Sequence, residues 1–98
     1  MEPVDLAALT LDAFTPLVGD AFAIAEPARL TLELSEASGA GEWPGGRQPF
    51  RLLFRGPPDP VLPQAIYRLE HARLGALEIF VVPVGRDDDG TSYEAIFT

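Results

Sequence analysis

The chain has 98 residues, of which 47% are hydrophobic, and this composition suits a single folded domain spanning residues 1–98. The formal net charge of −8 disfavours nucleic acid and anionic membranes as partners, and the absence of cysteine excludes disulfides and thiolate metal sites. No apolar run approaches the roughly 20 residues that span a bilayer, and no basic leader precedes an apolar run, so we expect a cytoplasmic protein.

The N-terminal segment predicts a short helical region over residues 10–19. Thr10 is a typical N-cap residue, and Asp12 places an acid in the first turn, where it favours the helix dipole. Pro16 lies too deep for a continuous helix, so we expect a break just before it or a restart at it, and Gly19 ends the region. The apolar residues expected to cover one open end or one face of the sheet are Leu11, Phe14, Leu17 and Val18.

Residues 21–98 predict a β domain. Residues 29–37 alternate cleanly, with Leu30, Leu32 and Leu34 on one face, which is typical of a half-buried strand. The other predicted strands are residues 21–25, 50–55, two strands within residues 65–82, and residues 92–97. Residues 38–49 and the proline-rich residues 56–63 read as loops.

The stretch over residues 65–80 is ambiguous, because its apolar spacing also fits a helix. Its β-branched and aromatic residues, with Gly75 at a turn position, favour two strands joined by a turn at residues 71–75. Pro83 is expected at an edge, a bulge or a strand end, and Asp89 followed by Gly90 predicts a hairpin.

The predicted outward face of these strands is not fully polar, since Leu53, Ile66, Phe80 and Ile96 fall on it. Either the sheet closes into a small barrel or a partner covers this face. The expected fold is therefore mainly β, a small six-stranded antiparallel barrel or highly curved sheet with a short N-terminal helix.

A series of short motifs follows from residue 49 onward: Pro49-Phe50, Leu53-Phe54-Arg55-Gly56-Pro57, Leu62-Pro63-Gln64, Tyr67, Leu69, His71, Leu74-Gly75, Leu77-Glu78, Phe80, Val82-Pro83-Val84-Gly85 and Tyr93-Glu94-Ala95. This series resembles a family of small bacterial domains of unknown function, encoded near proteins with phage tail-collar domains. Ala65 departs from the glycine expected after the Pro-Gln pair. The resemblance implies an accessory role in or near a phage-tail-like assembly and supplies no catalytic residues.

The residues that could act in catalysis or bind a metal are better explained by structural roles. His71 is the only histidine, and no serine lies in a nucleophile-elbow context, so we interpret it as a structural residue whose ring binds a loop carbonyl. Residues 87–89 are three aspartates, but the spacing of a calcium loop fails around them, which favours a solvated hairpin turn. We therefore predict no catalytic residue, no metal and no cofactor.

Acidic and basic residues on neighbouring strands predict cross-strand ion pairs. The acids are Glu33, Glu70, Glu78 and Glu94, and the arginines are Arg51, Arg55 and Arg68. Each exposed pair contributes on the order of 0 to 1 kcal/mol, so solubility and strand register are the expected roles.

The leading functional hypothesis is a non-catalytic interaction or assembly module whose partner is a protein, such as the product of a neighbouring gene. Trp43, in a Gly/Pro loop, is either a binding anchor or a lid folded over a barrel end. The candidate contact residues are Trp43, Arg47, Leu53, Arg55 and Phe80. Self-association is also expected, because uncovered β edges pair readily.

The alternative functional hypothesis is a barrel that binds a small apolar ligand in a pocket lined by Leu32, Phe54, Leu69, Ile79 and Phe97.

Overall fold

A computed structural model describes residues 8–41, 45 and 48–98. The elements are helix α1 (Leu11–Phe14), a 3₁₀ turn (Thr15–Leu17), β1 (Ala21–Ile24), β2 (Leu30–Gly39), β3 (Phe50–Gly56), β4 (Ala65–His71), β5 (Gly75–Asp87) and β6 (Gly90–Phe97). The strands form a closed antiparallel barrel in the order β1-β2-β3-β6-β5-β4. The predicted six-stranded barrel with a short N-terminal helix is confirmed.

The helical region begins after Thr10, which occupies the N-cap position without a side-chain capping bond. The predicted break is confirmed, because α1 gives way to a 3₁₀ turn containing Pro16. Val18 was expected to cover the sheet, and that expectation is wrong, since it is 46% exposed. The 3₁₀ turn has three residues per turn, so the buried face at Phe14 and Leu17 does not continue to Val18. No helix among the described residues is long and apolar enough to cross a membrane.

Alternation along each strand builds one core inside the barrel. β2 begins with strictly alternating buried and exposed residues, and β3 buries Phe50, Leu52 and Phe54. A bulge between Leu34 and Glu36 interrupts the register with β3. The five residues predicted to line a ligand pocket, Leu32, Phe54, Leu69, Ile79 and Phe97, all belong to this packed core.

The hairpin joining β4 to β5 confirms that residues 65–80 are strands rather than a helix. The two strands pair along their whole shared length, and Gly75 has a φ of 83° at the turn, a conformation that favours glycine. A bulge lies between Pro83 and Gly85, as expected for a proline that cannot donate to the ladder.

Pairing around the barrel is incomplete at two places. β1 and β4 close the barrel through a single pair, Ala23 with Glu70. β5 and β6 pair from their hairpin turn up to Val82 and Glu94, and the ladder ends there although both strands continue. The hairpin end of the β5–β6 ladder therefore closes the barrel, while no ladder pair joins the first half of β5 to the end of β6.

Candidate interaction surface

Three exposed apolar side chains border one groove on the outer face of the barrel. Ile66 on β4 pairs with Phe80 on β5. Val82 and Glu94 form the last pair of the β5–β6 ladder. Phe80 lies two residues before Val82, and Ile96 lies two residues after Glu94, so Phe80 and Ile96 are at the same height along the barrel. The three are 66%, 49% and 54% exposed, respectively. We call Ile66, Phe80 and Ile96 the outer stripe.

A groove of about 320 Å³ lies along the outer stripe, and we call it the β5–β6 groove. It is lined by Ile66, Glu78, Ile79, Phe80, Ile96, Phe97 and Thr98. The lining residues are consecutive on each side, 78–80 and 96–98, so inward-facing and outward-facing residues both border it. Because side chains alternate between faces, such a groove lies between two strand edges rather than on one sheet face.

Two local features explain why the wall opens here. The bulge between Pro83 and Gly85 lies next to the point where the ladder ends, and bulges increase strand twist. The end of β6 is also held toward β3, because the rings of Phe97 and Phe50 stack with centroids 4.6 Å apart. Phe14 of α1 packs against both rings, with centroid distances of 5.6 and 5.8 Å.

The candidate contact residues have different positions. Phe80 belongs to the outer stripe, while Leu53 is a half-buried residue of the same outer face. Arg55 also lies on β3 but is engaged by partners within the chain. Trp43 and Arg47 lie outside the described residues, so both interpretations of Trp43 stay predictions.

Arg55 joins β3 to the β5–β6 hairpin. Its guanidinium donates to Ser92 Oγ at 2.9 Å and to Asp87 Oδ1 at 2.5 Å. Asp87 Oδ1 also accepts the backbone N–H groups of Asp89 and Gly90. The Asp89 N–H, followed by the Arg55 side chain, lowers the pKa of the Asp87 carboxyl from its ordinary value. Asp87 is therefore held as a carboxylate that closes the hairpin turn.

Arg51 forms the other cross-strand ion pairs on this face. Its guanidinium lies 2.9 Å from Glu36 Oε2 and 3.5 Å from Glu94 Oε2, so it joins β2 to β6 across β3. Arg68 instead pairs with Glu70 of its own strand at 3.5 Å. Cross-strand pairing is thus confirmed for Glu94, whereas among the described residues Glu33 and Glu78 are in no ion pair.

His71 does not bind a loop carbonyl, so that part of its interpretation is wrong. Its Nε2 lies 2.8 Å from Asp20 Oδ2, and its Nδ1 accepts the backbone N–H groups of Arg73 and Leu74. Because Nδ1 accepts, Nε2 carries the proton that is donated to Asp20. The ring also packs on Phe22, with centroids 4.7 Å apart. The histidine shapes the β4–β5 turn and ties it to the start of β1.

A second, polar cleft of about 410 Å³ lies between the proline-rich connector and the β5–β6 hairpin. Arg86 spans it, donating from Nε to the Pro58 carbonyl at 2.8 Å and from Nη2 to Asp59 at 3.0 Å. Within the part of the chain that the structure describes, no three acidic or histidine side chains are grouped so that they could share a metal ion.

Sequence reasoning identified the three outer-stripe residues as outward and apolar, but it did not identify the groove beside them. The signal for the groove is the end of the β5–β6 ladder. That point depends on twist and packing, and Pro83 is the one feature of the sequence that hints at it.

Comparison with known proteins identifies the family of the chain. A family model described as Domain of unknown function (DUF6916) matches residues 9–97, which confirms the expectation of a small domain of unknown function. No curated protein and no solved structure matches the chain significantly.

Proposed function

The chain belongs to the DUF6916 family of domains of unknown function, and we propose that it is a non-catalytic module that binds another protein through the outer stripe and the β5–β6 groove. The observation that carries this proposal is that three large, exposed apolar side chains border one groove on the outer face, where the β5–β6 ladder ends. Contiguous exposed apolar surface of this kind is typical of interaction sites.

The filled interior supports a protein partner over a small apolar ligand. The five side chains that would line a ligand pocket pack into the same core, and four of them are 0 to 1% exposed. Small barrels of this strand number are usually filled by their own side chains. Apolar contact area is then offered to a partner on the outside rather than to a ligand inside.

The contacts of His71 support a non-catalytic role. A general base needs a free ring nitrogen within reach of a proton to be removed. Nδ1 already accepts two backbone N–H groups, and Nε2 donates to Asp20 in a side chain that is 3% exposed. These bonds make His71 part of the scaffold.

The resemblance noted in the sequence supplies candidates for the partner. We propose a cytoplasmic bacterial protein that assists a phage-tail-like or tail-collar-bearing protein encoded by a neighbouring gene. The Trp43 and Arg47 loop is a second contact region under this proposal, and self-association through uncovered edges is a further expectation. The net charge of −8 opposes self-association at low ionic strength.

Co-purification tests the proposal. The tagged chain is co-expressed with each product of the adjacent genes, as wild type, as Phe80→Thr with Ile96→Thr, and as Val84→Thr. Val84 is 53% exposed on β5 but does not line the groove, so it is the matched control. We expect the wild type and the control to capture a neighbouring product and the double variant to lose it. Equal capture by all three forms would contradict a role for the outer stripe.

A further inference from the structure

We propose that the β5–β6 groove accepts an extended peptide segment of a partner protein as an added β-strand, and that this segment carries a basic residue placed against Glu78. This inference rests on the proposed function, because it names the kind of partner that the outer face binds.

The pairing pattern indicates a strand as the occupant. On one side, residues 76–81 of β5 pair only with β4. On the other, residues 95–97 of β6 pair only with β3. Two strand edges thus face each other across the opening, and a strand edge is the surface to which an extended peptide adds through main-chain hydrogen bonds. Three residues on each side span about 10 Å, enough for a short strand.

The side chains around the groove indicate the pattern of that segment. Phe80 and Ile96 border the groove from opposite strands, and Ile66 extends the apolar surface to β4. An added strand would direct alternate side chains outward, next to these three. Apolar or β-branched residues at every second position would cover the outer stripe, while the residues between them would pack on Ile79 and Phe97, which also line the groove.

Charge complementarity indicates a basic residue. Glu78 lines the groove and is exposed, and no arginine or histidine pairs with it within residues 8–41, 45 and 48–98. Its neighbour Arg68 is engaged by Glu70 at 3.5 Å. With a chain charge of −8, a basic segment is attracted over a longer range and a second copy of this acidic chain is repelled.

Peptide titration of the full chain, labelled with ¹⁵N, tests this inference. The first probe is a synthetic peptide of about nine residues that alternates valine with threonine and has a lysine near each end. The second replaces both lysines with glutamate, and the third replaces two threonines with proline, which cannot donate to a ladder. Affinity comes from fluorescence anisotropy, and hydrogen exchange reports protection of each amide.

We expect the lysine peptide to bind and to slow exchange at every second amide within residues 79–81 and 95–97, those whose N–H groups point away from β4 and β3 and into the groove. The proline peptide should bind at least about tenfold more weakly because it cannot complete the ladder. Phe80→Thr should weaken binding about tenfold, while Val84→Thr leaves it unchanged. Glu78→Gln should reduce the preference for lysine over glutamate peptides, and Glu33→Gln, an exposed acid on β2, is its control.

Failure of this inference differs from failure of the proposed function. Strand addition is overturned if the proline peptide binds as tightly as the lysine peptide, or if no amide at the two strand edges gains protection. The proposed function would still be supported in that case if the Phe80→Thr, Ile96→Thr double variant fails to capture the neighbouring gene product. Binding of none of the three peptides also overturns strand addition. If the free chain dimerises and protects these same amides, a second copy is the occupant and the proposal of a basic partner segment is wrong.

Discussion

His71 Nε2 lies 2.8 Å from Asp20 Oδ2, although 51 residues separate the two in the chain. The bond joins the β4–β5 turn to the residue that leads into β1. Since β1 and β4 share a single backbone pair, this side-chain contact supplements the weakest seam of the barrel. Its donor lies in a side chain that is 3% exposed, so its hydrogen bond cannot be replaced freely by water.

Asp20→Ala should lower the free energy of unfolding by about 1 to 3 kcal/mol, because the buried imidazole N–H loses its acceptor. Asp20→Asn keeps an oxygen that can accept and should cost less than about 1 kcal/mol, which makes it the matched control. Urea denaturation of the three proteins measures the difference. Equal destabilisation by both variants would indicate that charge, rather than the hydrogen bond, stabilises this seam.

The Asp87 carboxyl leads to a prediction about how the stability of the fold changes at acid pH. Its carboxyl has a lowered pKa in the folded state, caused first by the Asp89 N–H and then by the Arg55 side chain. A pKa that is lower in the folded than in the unfolded chain adds stability above the unfolded pKa, and this stability is lost as the pH falls through the folded pKa. Asp87→Asn should therefore be less stable than wild type at neutral pH. The difference in stability between the two proteins should disappear in acid, below the pH range in which carboxyl groups ordinarily titrate.

Melting temperatures of wild type and Asp87→Asn, measured from neutral to acid pH, check this expectation. Asp88→Asn removes the same charge from the same turn without removing a partner of Arg55, so it is the control for net charge. The proposed bonding of the turn would be contradicted if the melting temperature of Asp87→Asn stays below that of wild type by a constant amount down to acid pH. It would also be contradicted if Asp88→Asn lowers the melting temperature by the same amount as Asp87→Asn at every pH.

Much of the barrel is predictable from the sequence because each strand buries one face. Leu30, Leu32 and Leu34 have to share a face in any strand, and the same holds for the alternating residues of β3 and β6. Pro83 predicts a bulge because it lacks the N–H that a central strand needs. These are local constraints, and local constraints are readable from a single sequence.

The rest depends on contacts between distant parts of the chain. The partner of His71 is an aspartate on another element, and no local pattern selects it over a backbone carbonyl. The opening beside Phe80 arises from a bulge on one strand and from aromatic packing that holds the end of the other. Alternation gives the face on which Phe80 lies, but it does not give the residue at which a ladder ends.

Gly90, the first residue of β6, gives a packing prediction. A Cβ at this position would lie 2.6 Å from the Gly56 carbonyl oxygen and 2.8 Å from Arg55 Nε. The nearest atom is backbone and cannot move aside alone, so Gly90→Ala should lower the free energy of unfolding by about 1 to 3 kcal/mol. Gly85→Ala, whose Cβ would meet nothing within 4 Å, should change it by less than about 0.5 kcal/mol. Thermal unfolding of both variants tests the close approach, and similar losses would contradict it.

Tyr93 connects the core to the proline-rich connector between β3 and β4. Its hydroxyl oxygen accepts the backbone N–H of Leu62 at 2.9 Å, and Tyr93 and Leu62 are 0% and 2% exposed. Tyr93→Phe leaves that buried N–H without its acceptor, so we expect a loss of about 1 to 3 kcal/mol in the free energy of unfolding.

Amide exchange separates the Tyr93 effect from a general loss of packing, because phenylalanine fills nearly the same volume. In Tyr93→Phe, the Leu62 amide should exchange faster relative to the core amides of β3 than it does in the wild type. Tyr67→Phe is the comparison, since the Tyr67 hydroxyl donates to the Pro63 carbonyl and its loss leaves the Leu62 N–H bonded to Tyr93. If the Leu62 amide exchanges at the wild-type relative rate in Tyr93→Phe, the phenol oxygen is not its acceptor in solution.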